Sequence, residues 1–243
     1  MTTLVRVAIA FIVAIFLSSC GFDINIGDFS TGKPGNGHVV TENRNVSGDF
    51  DEISVSEGLE VYITQKNDFN IEVQADENII DLIATDIENG KLRIHAESNI
   101  GRATKKVFVS LPQVSSLSAS SGAQMKTENS LVAEDLQIDG SSGAQINLAL
   151  DSKNVSIDAS SGSNINIAGD TEHADIDVSS GGNINASDFQ SQTCNAGASS
   201  GGNVKIMVAK SLVADASSGG NISYSGEPNV SQKKSVSGSV HQY

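Results

Sequence analysis

Tryptophan is absent from this 243-residue chain, and the other large aromatics are scarce, with eight Phe and three Tyr. A cleft that stacks sugar rings on exposed aromatics is therefore disfavoured. Positive charge is also thin: 15 Lys and Arg stand against 29 Asp and Glu, for a net charge of −14. That balance argues against nucleic acid and against a purely electrostatic hold on anionic lipid headgroups. Only two cysteines occur, Cys20 and Cys194, so no disulfide framework can staple a small core and stability must come from packing. Between residues 115 and 224 there is no arginine at all.

What is present in excess is one triplet. Ser-Ser-Gly begins at Ser120, Ser141, Ser160, Ser179, Ser199 and Ser217, with steps of 21, 19, 19, 20 and 18 residues. A period of this size marks a stacked repeat architecture. Five places after the first serine the residue is always apolar: Met125, Ile146, Ile165, Ile184, Val204 and Ile222. Just before it stands a side-chain amide: Gln124, Gln145, Asn164, Asn183, Asn203 and Asn221. Three places upstream of the triplet lie Leu117, Ile138, Ile157, Ile176, Ala196 and Ala214. Each unit reads as an alternating strand, a tight glycine turn and a second alternating strand. The expected fold is all-β, a right-handed parallel β-helix or β-solenoid of about 19 residues per coil, rising about 4.8 Å per coil. The glycine should take a positive φ, the position after it should be crowded, and the amide column should form a ladder of the cross-β kind.

The first twenty residues are read as an export signal. Arg6 precedes an apolar stretch from Val7 to Leu17, too short to span a bilayer, and a small-residue cleavage site follows. Leu17-Ser18-Ser19-Cys20 resembles the lipobox of bacterial lipoproteins, which makes Cys20 the expected lipidated first residue of the mature chain and the means of membrane attachment. Gly21 after it favours outer-membrane sorting. Residues 1–19 are thus a lipoprotein signal peptide and 20–37, rich in Gly, Asp and Asn, a flexible tether. Residues 38–243 form one β-solenoid domain: 38–114 irregular N-terminal coils, 115–224 the regular array, and 225–243 a C-terminal cap. Ser56-Glu57-Gly58 fits a divergent first corner. A short helix is predicted near residues 77–88, with Asp76 as N-cap, an apolar face of Ile79, Ile80, Leu82, Ile83 and Ile87, and Asn89-Gly90 as its stop.

Several motifs look chemical and are better explained otherwise. Gly197-Ala198-Ser199-Ser200-Gly201 matches the G-x-S-x-G nucleophile elbow, but Ser199 is the fifth copy of the repeated turn and Gly197 reads as incidental. Ser231-Gln232-Lys233-Lys234 matches S-x-x-K without the companion motifs of that class. His38, His95, His173 and His241 show no metal-ligand spacing. Asp139, Asp158, Asp177 and Asp215 share one outward column, two places before the triplet. Calcium or another hard cation could relieve their repulsion; screening by water with a role in solubility is the preferred reading. No catalytic, cofactor or metal residue is assigned.

The residues together carry a resemblance. Val46-Ser47-Gly48-Asp49-Phe50 through Ile53, Leu59 to Gln65, Ala75-Asp76-Glu77-Asn78, Asn89-Gly90-Lys91-Leu92-Arg93-Ile94, Val107 to Pro112 and the serial Ser-Ser-Gly turns make the chain similar to the head GIN domain family of autotransporter adhesins of bacterial envelopes. The resemblance implies a β-solenoid and a non-enzymatic envelope lipoprotein that binds an extracellular glycan or protein partner. Two other classes stand beside it: a pectate-lyase-like carbohydrate-active enzyme on the same scaffold, and a structural envelope component. The lack of arginine in the array, with Lys126, Lys153, Lys205 and Lys210 on different coils, counts against the lyase.

Overall fold

Two successive left-handed residues set each corner. In the computed structural model, which describes residues 32–233 and 237–243, Ser161 has φ 50° and Gly162 φ 72°, and the N–H of Ser163 donates to the Ser160 carbonyl at 3.0 Å. This is a type I′ turn, in which both central residues need positive φ. Glycine adopts it freely, whereas serine is strained there by about 1 kcal/mol. The second serine of every triplet shares that conformation, from Ser121 at 52° to Ser218 at 47°. Glu57 and Gly58 repeat it at 62° and 67°, which makes Ser56-Glu57-Gly58 an authentic earlier corner.

Corners are tied directly to one another. The N–H of Gly162 donates to the carbonyl of Ser180 in the next coil at 3.2 Å, and the same bond recurs from Gly58 to Ser121 at 3.0 Å and from Gly219 to Ser237 at 2.8 Å. A ridge of turns therefore runs along the molecule, and it locks the register of the strands on either side. Ile165 lies between Ile146 and Ile184, and Ile157 between Ile138 and Ile176, in parallel ladders. These side chains are completely buried. Each contributes roughly 2–3 kcal/mol relative to exposure, and their alternation with outward polar residues fixes which face of each strand is core. The position after the glycine is as crowded as expected: a Cβ on Gly182 would come within 2.7 Å of the Ala159 carbonyl oxygen.

The corner between the two strands of a coil is lined by buried hydroxyls, with one positive-φ glycine, Gly169 (φ 120°), beside them. Ser152, Thr171 and Ser191 stack there, all buried; Ser152 Oγ donates to Thr171 Oγ1 at 3.1 Å, and Ser191 Oγ donates to the Thr193 carbonyl at 2.6 Å. They supply partners where the bent backbone would otherwise bury unsatisfied groups. Unequal steps in the period are absorbed near this corner. Register shifts between Asn166 and Ala168, and between Ala186 and Gln190, accommodate the coils of 20 and 18 residues, while the Ser-Ser-Gly ridge stays aligned.

The N-terminal third departs from a simple winding order. Glu52–Val55 and Glu60–Gln65 form a coil that pairs on one side with Ser116–Ala119 and Gln124–Thr127. On its other side it pairs with Lys91–Ala96 and Lys105–Leu111. The chain thus lays down one coil, builds the next outward from it, and crosses back over the first to begin the regular array. Val39–Asn43 pairs antiparallel with Asn70–Asp76, and that strand antiparallel with Lys105–Leu111. These reversed strands close the N-terminal end, where a parallel edge would template association.

The helix predicted near residues 77–88 does not form. A single 3-10 turn spans Ile80–Leu82, and Ile83–Glu88 is a strand antiparallel to Lys91–Ala96. Asn89 (φ 52°) and Gly90 (φ 80°) are the two-residue loop of this hairpin. Asn-Gly between alternating strands is a strong I′ hairpin signal, and here it outweighs an apolar spacing that suits a helix equally well.

At the start of the described chain, residues 32–37 are fastened to this end. Asp76, 2% exposed, accepts hydrogen bonds from the N–H groups of Gly37 and Thr104, each at 2.6 Å. Lys33 bridges to Ile100. This last part of the stretch read as a tether is thus part of the folded body; Cys20, the signal segment and the rest of the tether lie outside the described residues. At the far end, Asn229–Lys233 and Ser239–Gln242 continue the parallel ladders as a final coil. The described residues form a β-solenoid of about seven coils.

Candidate functional site: two outward sheet faces

Inward positions are filled by core, so binding chemistry resides on the outward columns. The strand preceding each Ser-Ser-Gly corner presents an acidic face. Asp139, Asp158 and Asp177 stand in register one coil apart, followed by Gly197, Asp215 and Lys233. Partial burial, then repulsion from Asp139, Asp177 and Asp175, raises the Asp158 carboxyl above its ordinary value. Asp177 is raised by burial and then by Asp175. Lys233 donates to Asp215 at 3.1 Å, and Gln137 Nε2 to Asp139 at 3.1 Å. Beside this column runs a shallow groove of about 560 Å³, where Asn154 Nδ2 donates to Asp135 at 2.7 Å and His173 Nδ1 lies 2.7 Å from Thr193 Oγ1. Among the described residues no group of three or more His, Cys, Asp or Glu side chains is arranged to hold a metal ion.

The strand following the corner carries the amide face. Gln124, Gln145, Asn164, Asn183, Asn203 and Asn221 are stacked as expected, but they do not form the ladder. Asn203 Nδ2 turns back to the Gly201 carbonyl at 3.1 Å, and Asn164 Nδ2 to that of Gly162 at 3.5 Å. The turn leaves those glycine carbonyls within reach, and a local bond of this kind competes with the cross-coil one. The ladder is formed two places further on. Asn166 Nδ2 donates to Asn147 Oδ1 at 3.0 Å, and Asn185 Nδ2 to Asn166 Oδ1 at 3.4 Å. Its signal was present in the repeat, as Lys126, Asn147, Asn166, Asn185 and Lys205 at one alignment position. Toward the N-terminal end this column continues into Tyr62 and Phe108, whose rings stack at 5.1 Å. Lys126 Nζ lies 5.8 Å from the Tyr62 ring centre.

The nucleophile-like serines have no catalytic setting. Ser199 opens a turn between two strands, with its N–H on the Val178 carbonyl, and no helix follows it. His38, His173 and His241 contact Glu77, Thr193 and Ser223, and His95 lies 3.6 Å from Asp86, so none serves as a base to Ser199. Ser231 lies on an exposed terminal strand, and Lys234 falls outside the described residues. Cys194 is buried, and burial, with Asp175 adding to it, pushes its thiol up to about 12, which keeps it protonated and inert.

A solenoid with long, flat, polar outer faces is a scaffold for display and binding. The chain belongs to the family described as "Putative auto-transporter adhesin, head GIN domain", whose model matches residues 49–228. Solved structures share the fold. A putative adhesin of Bacteroides fragilis has a TM-score of 0.80 at 18% identity, covering 87% of this chain and 100% of its own. One from Parabacteroides distasonis reaches 0.70 at 18% identity, with coverage of 87% and 100%. One from Parabacteroides merdae reaches 0.67 at 22%, with 86% and 98%. Among curated proteins none matches the sequence. Among the described residues no helix is long and apolar enough to cross a membrane.

Proposed function

We propose that this chain is a non-enzymatic envelope lipoprotein, held to the outer membrane through lipid on Cys20, whose solenoid presents its outward faces to an extracellular glycan or protein. Family membership supports a role in adhesion or binding. The single observation that carries the reading is the alignment of like polar side chains over successive coils, Asp139 to Asp177 on one face and Asn147 to Asn185 on the other, which repeats one contact three times along each face. Repetition of weak contacts raises avidity without a deep pocket. The test is direct. Purified chain should bind whole cells or extracellular matrix saturably, and should release no unsaturated product or new reducing ends from polyuronates. Labelled fatty acid should enter the native chain and not Cys20→Ala. Turnover of a polyuronate would replace this reading with the lyase.

A further inference from the structure

We infer that the amide face is the ligand-contacting surface and that its ligand is a neutral polysaccharide strand running along the solenoid axis; this rests on the binding role proposed above. The outward residues of three consecutive coils on this face are Gln145, Asn147 and Ala149, then Asn164, Asn166 and Ala168, then Asn183, Asn185 and Asp188, which is in register with Ala168. Asp188 is the one charged residue among these nine, in a chain of net charge −14. Beside the Asn147–Asn166–Asn185 ladder runs a trough of about 310 Å³, floored by Ala149 and Ala168 and bounded by Thr127 and Asp188.

The chemistry of the face selects among partners. Each ladder amide spends one N–H or one oxygen lone pair on its neighbour, which leaves the second N–H and lone pair of Asn166 pointing to solvent. Gln145 and Asn183 have no protein side-chain partner among the described residues. A sugar hydroxyl is both donor and acceptor and so matches an amide in either sense, with no charge to desolvate. The two Ala methyls offer a shallow apolar floor to the C–H face of a ring. Coil spacing of about 4.8 Å presents the same donor and acceptor pair at each step, close to the length of one pyranose unit. A protein partner would ordinarily be anchored by aromatic or Arg side chains in pockets, and these coils present neither. An anionic glycan would be repelled by the net charge, and a cationic one would be drawn to the Asp face instead. The stacked Tyr62 and Phe108 rings lie on each other, so recognition here is by hydrogen bonding.

The experiment uses the full mature chain in affinity electrophoresis and calorimetry against linear neutral probes (a β-glucan, a β-mannan and an α-glucan), with polygalacturonate and chitosan as charged probes. At least one neutral probe is expected to bind, and Asn147→Ala/Asn166→Ala should weaken it tenfold or more. Ala168→Glu, which blocks the trough without removing an amide, should do the same, and Val39→Ser, at an exposed position of the N-terminal end outside the trough, should not. Thermal melts of each variant confirm folding. The inference is overturned if folded amide variants bind as tightly as the native chain. It is equally overturned if only charged probes or proteins bind, in which case the binding role survives with a different surface. A chain that binds neither cells, matrix nor any probe overturns both.

Discussion

The carboxylate of Asp177 lies over the α-carbon of Gly197, one coil further along, in the space where any other residue would place its Cβ. The glycine that completes an apparent nucleophile motif is therefore a gap in the acidic column. It lets one carboxylate lean away from its neighbours. Because the obstructing atom is the free end of a side chain, Gly197→Ala should change stability by no more than about 0.5 kcal/mol. Gly197→Asp restores the full column and should destabilise by on the order of 1 kcal/mol at neutral pH. Urea midpoints at pH 7 compare the two.

The acidic column also has a pH signature. Asp158 and Asp177 have folded-state pKa values raised above the ordinary value of 3.8, so the folded protein holds these protons more tightly than the unfolded chain. Their contribution to stability is present below the unfolded pKa and is lost as pH rises through the raised folded one. Asp158→Asn should therefore raise the melting temperature at pH 7, by a gain of a few tenths to about 1 kcal/mol, and give no gain at pH 3. Equal effects at both pH values would contradict this sign. Calcium and chelator should give the same midpoint.

The ridge of turns predicts a stabilising change. Asparagine tolerates the left-handed region better than serine and is favoured before glycine in type I′ turns, so Ser161→Asn should stabilise by a few tenths to about 1 kcal/mol. Gly162→Ala should destabilise by about 1–2 kcal/mol through strain alone, since a Cβ there meets nothing within 4 Å. Differential scanning calorimetry distinguishes the two directions.

Asp76 is the clasp of the N-terminal end. Asp76→Ala leaves the N–H groups of Gly37 and Thr104 without their carboxylate partner and should cost about 2–4 kcal/mol. Limited proteolysis should then cut the variant near residues 32–37 before the coils are attacked, while the native chain resists there.

Cys194 should be silent to thiol reagents at pH 8 in the folded state and react fully in denaturant, because burial keeps its thiol protonated. Rapid labelling of folded protein would show that the coil containing it opens.

Much of this was legible from the pattern of residues alone. A triplet repeated at nearly constant spacing fixes the strand phase, so Ile146, Ile165 and Ile184 had to point one way and Asn147, Asn166 and Asn185 the other. The crowding at Gly182 and the early corner at Glu57-Gly58 followed from the same alignment. The hairpin around Asn89-Gly90 was visible and misread, because Ile79, Ile80, Ile83 and Ile87 satisfy a helical period as well as a strand hairpin preceded by a turn.

Local sequence thus determined the coil, its period and which side chains are stacked, since those depend on φ angles and on alternation within about twenty residues. Tertiary structure alone decided the rest. That Lys91–Ala96 lies outside Glu52–Val55, that Asn185 bonds Asn166 one coil away, and that Gly197 shelters a carboxylate all depend on pairings between distant segments. Each is a choice among partners of similar local energy, and only the assembled stack makes one of them lowest.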